Sequence, residues 1–212
     1  MSGLDERFAT EPWPSLDAMA IAVASEFGRP DPRAVGRALD RLGASLRWAQ
    51  GLAPGEQVRA CVGMLIHCEQ LVPSREMTPE TLMIDRVLAG EPGHPVMLAV
   101  IESEAARRAG IPLAPIACGA RYMLGHKGTD PPCVVDPCPV RAPMPDDLPP
   151  GCWQCAHQVA FTLLTLISES YSLRGDIAQA IHASELRGSL PVCAALSGRV
   201  SREVQGLRAR LN

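Results

Sequence analysis

The sequence predicts an α+β fold, mostly helical, with a small antiparallel sheet in its middle. Apolar residues recur at helical spacing over the first ninety positions and again after residue 152. Between them, from Ile116 to Val135, the runs are short and β-compatible, and eight of the 20 prolines crowd between Pro131 and Pro150. With 212 residues, 47% hydrophobic and 20% charged, the chain can bury a core without a disulfide or metal staple.

The first helix opens at Pro14-Ser15, with Ser15 as N-cap, runs on Leu16, Met19, Val23 and Phe27, and ends at Gly28. Asp31-Pro32 starts a second, with a stripe of Val35, Leu39, Leu42 and Leu46 toward Trp48. A third spans about 55–71 on Val58, Cys61, Leu65 and Cys68, and a fourth opens at Thr78-Pro79 and stops near Gly90. Pro95 fits a first helical turn, and Leu98, Ile101, Ala105 and Arg108 share one face of the fifth helix until Gly110. Strand-like runs follow at 116–124 and 133–135, then a proline-rich loop. The helical period returns from Cys152, breaks at Gly175-Asp176, resumes to Arg187 and ends with a helix over about 191–211.

Composition narrows the setting. The 19 arginines and the single Lys127 are dispersed among acids at a net charge of −3, which argues against nucleic acid as a partner. The longest uncharged helical stretch, Cys152–Ser168, carries Gln154, His157, Gln158, Thr162 and Thr165, so no membrane span is expected. Asp5, Glu6 and Arg7 stand where a signal peptide would need a basic region and an apolar run, and eight cysteines without a secretory signal point to a reducing cytoplasm.

Several motifs in order carry a family resemblance. They are Asp85-Arg86-Val87-Leu88, Gly93-His94-Pro95-Val96-Met97-Leu98, Glu104-Ala105-Ala106-Arg107-Arg108-Ala109-Gly110-Ile111-Pro112-Leu113, Val135-Asp136-Pro137, and the tail Leu163, Tyr171, Gly175-Asp176, Ala180-Ile181. Together the chain resembles the SirB-type transglutaminase-like proteins. The resemblance implies a helical N-terminal region over 1–92, a papain-like core over 93–151 and tetratricopeptide-like helices over 152–212.

Active transglutaminase-like enzymes use a Cys at the start of the core helix, with a His and an Asp from adjacent strands as base and orienter. The resemblance puts Pro95 at the Cys position, a departure shared by SirB-type proteins, and Ala120-Arg121-Tyr122 where the family has Gly-His-Phe, leaving only Asp136. Proline offers no attacking atom, and arginine, with a pKa above about 12, accepts no proton at neutral pH. Losing one essential triad member costs on the order of 10⁶ in turnover, so the resemblance implies a pseudoenzyme without catalytic residues. Arg121 and Asp136 on neighbouring strands are expected to pair; alternatively the guanidinium binds a carboxylate or phosphate in the vestigial cleft. His94 either caps the helix or reaches the cleft mouth, whereas His67 and His126 have no partner that the sequence identifies. Cys118, three positions before Arg121, falls on the opposite face of a regular strand.

Cys133, Cys138, Cys152 and Cys155 form C-x4-C-x13-C-x2-C, a spacing that suits a structural zinc clamp over the loop. Two alternatives stay open: Cys152 and Cys155 as a helix-start redox pair, or four thiols without a ligand. Cys61, Cys68 and Cys193 lie on apolar helical faces and read as core. The expected function is a binding module for a protein partner or a small anionic ligand at Arg121, Asp136 and His94. The alternative is an acyl- or amide-handling enzyme that uses Arg121 and Asp136 with a substrate-borne nucleophile or a loop thiol.

Overall fold

The capping residues do what their chemistry suggests. In the structure, a computed structural model that describes residues 4, 14–67, 69, 71–119, 121–138, 149–191 and 194–210, helix α1 (Leu16–Phe27) starts at Ser15, whose hydroxyl accepts from the Ala18 N–H. Asp31 accepts from the Arg33 N–H at 2.9 Å and opens α2 (Pro32–Leu46), which passes into a 3₁₀ turn over Arg47–Gly51. Helix α3 (Pro54–His67) is shorter than its apolar pattern predicts, and Cys68 lies outside the described residues.

The predicted fourth helix is broken. A 3₁₀ turn (Glu80–Leu82) and a short α4 (Ile84–Leu88) are separated by extended Met83. Thr81 is the cause: its hydroxyl donates to the carbonyls of Glu76 and Thr78, and its carbonyl accepts from the His94 N–H at 2.9 Å. An acceptor used by a distant segment is not available to a helical i+4 amide.

Helix α5 (Pro95–Arg108) runs through the centre, buried without a gap from Pro95 to Ala106. Gly110, at φ +76°, ends it, and the Ile111 N–H returns to the Ala106 carbonyl at 2.8 Å. Strands β1 (Leu113–Cys118), β2 (Arg121–His126), β3 (Val134–Val135) and β4 (Cys152–Trp153) form one antiparallel sheet in the order β3-β2-β1-β4. The expected α+β class, mostly helical with a small antiparallel sheet, is what the structure shows.

Cys152 does not begin a helix as predicted. It pairs with Ala117 in β4, Trp153 pairs with Ile116, and the Gln154 N–H donates to the Pro115 carbonyl at 3.0 Å. Helix α6 (Ala156–Leu173) begins four residues later, where Gln158 Oε1 accepts from the Cys155 N–H at 2.9 Å. Trp153 lies over Gly125, where an added Cβ would meet the indole at 2.9 Å. Helices α7 (Ile177–Ser189) and α8 (Ala194–Ala209) complete the tail, with a small cluster of Ala180, Ile181, Val200, Val204 and Leu207. The main core is shared by the N-terminal helices, α5, the sheet, α6 and, through Ala183 and Leu186, α7. No helix among the described residues is long and apolar enough to cross a membrane. Most of the proline loop (139–148) and Cys193 lie outside the described residues.

At the end of α5, Arg108 joins three helices: its guanidinium lies 2.6 Å from Asp17, 2.8 Å from Asp40 and 2.7 Å from Glu104. The Glu104 carboxylate is 3% exposed and keeps Arg107 at 2.8 Å, but truncating Arg108 removes its second cation and leaves the Asp17 carboxylate, 15% exposed, without its arginine. Arg108→Ala is expected to cost about 3–5 kcal/mol and to lower the thermal midpoint by roughly 10 °C, read by circular dichroism.

Candidate functional site

The N-terminus of α5 opens into a cavity of about 300 Å³. Backbone pairing brings distant segments to it. Residues 72–74 run beside Gly93, with the Gly93 N–H on the Val72 carbonyl at 2.8 Å and the Ser74 N–H on the Gly93 carbonyl at 2.9 Å. A side chain at Gly93 would meet Leu98 and Val87 at 2.7 and 2.8 Å, so the close approach needs glycine. This pairing delivers Arg75; β2 supplies Arg121 and Tyr122, the end of β3 supplies Asp136, and α6 supplies Thr162 and Leu166.

The sequence places Pro95, His94, Arg121 and Asp136 in one site, and the structure brings all four to this cavity. The expected Arg121–Asp136 pair does not form. Asp136 is held by Arg75 at 2.7 Å, and its other oxygen accepts from the Cys138 N–H at 2.8 Å. Arg75 also donates to the Cys138 carbonyl. With both carboxylate oxygens engaged, no acid among the described residues pairs with Arg121.

His94 meets both expectations at once. Its Nδ1 accepts from the Val96 N–H at 3.4 Å as the cap of α5, which leaves the proton on Nε2, and the ring lines the cavity. Burial, and then the charge of Arg75, pull its pKa down to about 4, so the imidazole is neutral near pH 7. Tyr122 Oη lies 3.2 Å from both Gln154 Oε1 and Thr162 Oγ1, and burial raises its pKa.

Beneath the cavity, on α5, lies Glu102. It is fully buried, and both carboxyl oxygens lack a hydrogen-bond partner among the described residues. Burial, and then the charge of Asp136, raise its pKa well above the usual value, so it is held as the neutral acid. Cys61, close enough to feel Glu102, has its thiol pushed up to about 12, chiefly by burial.

No described cysteine lines the cavity, although the Cys138 backbone binds Asp136 and Arg75. Cys118 and Arg121 are register partners across the turn between β1 and β2, not residues of one strand, so the opposite-face argument does not apply. Cys118 packs instead with Ile116 and Met123, under Gly151. Cys138 is fully buried, Cys133 faces Gly55 of α3, and Cys152 and Cys155 are exposed. Among the described residues no three His, Cys, Asp or Glu side chains are grouped to hold a metal. The described cavity lining contains no thiol. It offers guanidinium and imidazole donors over an apolar floor of Pro95, Val96 and Leu166.

Sequence reasoning missed Arg75 and Glu102. Arg75 sits in an irregular segment far from the other site residues, with no motif around it. Glu102 follows Ile101 on a helix read only for its apolar stripe, although its position seven residues after Pro95 puts the two on one face.

Glu102 titrates at a higher pH in the folded chain than in the unfolded one, so the unfolded state gives up its proton first and stability falls as pH rises above about 4.5. Glu102→Leu is therefore expected to raise the thermal midpoint, by an amount that grows from pH 4.5 upward; equal midpoints throughout would contradict a buried neutral acid. His94 has the opposite sign. Its folded pKa lies below the unfolded 6.5, so the stability due to its neutral form is present above 6.5 and lost as pH falls toward about 4. In His94→Asn, which keeps a capping acceptor, the midpoint is expected to fall less over that window than in wild type.

Residues 16–141 match the family model of the transglutaminase-like superfamily. No curated protein and no solved structure matches the chain. The match takes in the helical region, α5, and the strands that carry Arg121 and Asp136, and it spans more than half of the sequence. The chain belongs to the transglutaminase-like superfamily.

Proposed function

We propose that the protein is a catalytically degenerate member of this family, of the SirB type, and that it works as a binding module whose cleft takes a small organic anion. The observation that carries this reading is the state of Arg121, a guanidinium on a cavity whose one carboxylate is already engaged by Arg75. The Nε2–H of neutral His94 adds a donor, and Asp136 is held as the anionic counterpart of Arg75 and the Cys138 N–H. A donor-rich wall over an apolar floor suits a ligand with an acceptor-rich head and a nonpolar body. Acyl transfer would need a nucleophile and a proton acceptor, and neither Pro95 nor Arg121 is one. An acidic group on a protein partner carries the same chemistry, but the 300 Å³ volume favours a small molecule.

The chain has only two tyrosines, so 3-fluorotyrosine labelling gives two fluorine resonances, of which Tyr122 reports the cleft. Benzoate is expected to shift the Tyr122 signal saturably, and neutral benzamide is not. Arg121→Ala should weaken benzoate by about tenfold or more, the usual scale for losing a charged hydrogen bond. Unchanged affinity in Arg121→Ala would overturn the anion reading. So would release of ammonia from a glutamine peptide that Asp136→Asn abolishes, which would restore the enzyme.

A further inference from the structure

The cleft at the head of α5 carries one positive charge more than it carries negative. Among its described lining residues the charged side chains are Arg75, Arg121 and Asp136, and α6 contributes only Thr162 and Leu166. His94 is neutral near pH 7, burial raises the pKa of Tyr122, and Glu102 beneath the cleft is held as the neutral acid. Arg75 lies 2.7 Å from Asp136, so the charge left over is that of Arg121.

Asp136 keeps that excess from growing. Its side chain is 12% exposed and is fixed from two sides, by Arg75 Nη2 at 2.7 Å and the Cys138 N–H at 2.8 Å, so it cannot turn away from an arriving ligand. Arg75 has further N–H groups, but a ligand oxygen that reaches them meets the Asp136 charge beside them. The pairing does not hide that charge either, because it is felt at Glu102, where it adds to the effect of burial.

The two terms that decide how an anion binds scale differently. Attraction to fixed charges grows in proportion to the charge of the ligand, whereas the cost of taking the ligand out of water grows with its square. One excess cation therefore matches one negative charge. A second leaves a net anion in a partly enclosed cavity.

We propose that the cleft admits monoanions and discriminates against dianions, and that Asp136 sets this limit as a specificity-determining residue. This rests on the reading of the cleft as an anion site and narrows it: the ligand is a small organic acid with a singly charged head, such as a monocarboxylate, and not a phosphate monoester.

Three probes share a phenyl body and differ in the head. Benzoate and benzenesulfonate carry one charge, and phenyl phosphate, with a second pKa of about 6, carries two at about pH 8. On the Tyr122 fluorine signal of the full-length protein, benzoate and benzenesulfonate are expected to bind within about fivefold of each other, and phenyl phosphate about tenfold or more weaker than either. Asp136→Asn, which keeps an oxygen for the Cys138 N–H, should move the affinity ratio toward phenyl phosphate by about tenfold, the scale of one charge several ångströms away in a partly solvated site. Arg75→Gln, at a half-exposed position that asks less of the fold, should move it the other way. A second cavity, about 410 Å³ at the start of α6, shares no described lining residue with the cleft, so uptake there would not follow these variants. Phenyl phosphate bound as tightly as benzoate, or benzenesulfonate rejected along with it, would refute the charge limit and leave an anion site in place. A ratio unmoved in Asp136→Asn, or not moved the other way by Arg75→Gln, would take the role from Asp136. Silence from all three probes would remove the site itself, and the limit with it.

Discussion

Helix α5 is buried along nearly its whole length, and the rest of the structure accommodates that constraint. A helix with no solvent face must find partners for its polar groups inside the protein, and the solutions differ along its length. At the C-terminal end Glu104 is an anion paired with two arginines, one of which also ties α5 to α1 and α2. In the middle Glu102 has no cation and is kept neutral by its surroundings. At the N-terminal end the chain supplies proline, which has no N–H to satisfy, and a histidine that takes the next one. Three ways of burying a polar group on one helix fix what can gather around each end.

The fold was legible in the sequence because its signals are local. Ser15, Asp31-Pro32, Pro95 and Gly110 mark helix boundaries by their own backbone chemistry, and each holds in the structure. Where a long-range partner decides, the local reading fails. The helix expected from Thr78 breaks because the Thr81 carbonyl serves His94, and Cys152 becomes a strand because β1 has an open edge beside it. The site divides in the same way. Its vestigial positions could be read from motif order, but the partner of Asp136 could not, since Arg75 arrives by a backbone bridge between Pro73 and Gly93 that leaves no trace in composition or period.

The displacement of the expected ion pair matters more than a change of partner. Had Arg121 closed on Asp136, its guanidinium would be committed across the cavity and the cation left over would be the half-exposed Arg75. With Arg75 satisfying both Asp136 and the Cys138 carbonyl, the same two groups form a fixed wall and the second guanidinium adds a net positive charge. The neutral form of His94 fits that field, since a cation beside Arg75 would be repelled and poorly solvated. An arginine is also hard to neutralise by a proton shift, so the charge persists over the range in which histidine and carboxylates titrate.

The two cavities each lie at the start of a long helix, yet the two helix ends are not equivalent. Of the first amides of α5, Pro95 has none and that of Val96 is taken by His94, so little of the usual anion-binding capacity of a helix terminus remains. On the proposed reading, the cleft must therefore draw its selectivity from guanidinium side chains, which favour planar, bidentate acceptors. At α6 the cap is a cysteine, the box closes through Gln158, and the first helical residue is Ala156, which brings an N–H that proline lacks. The difference traces to a single residue: a proline at the head of one helix, where a residue with an N–H begins the other.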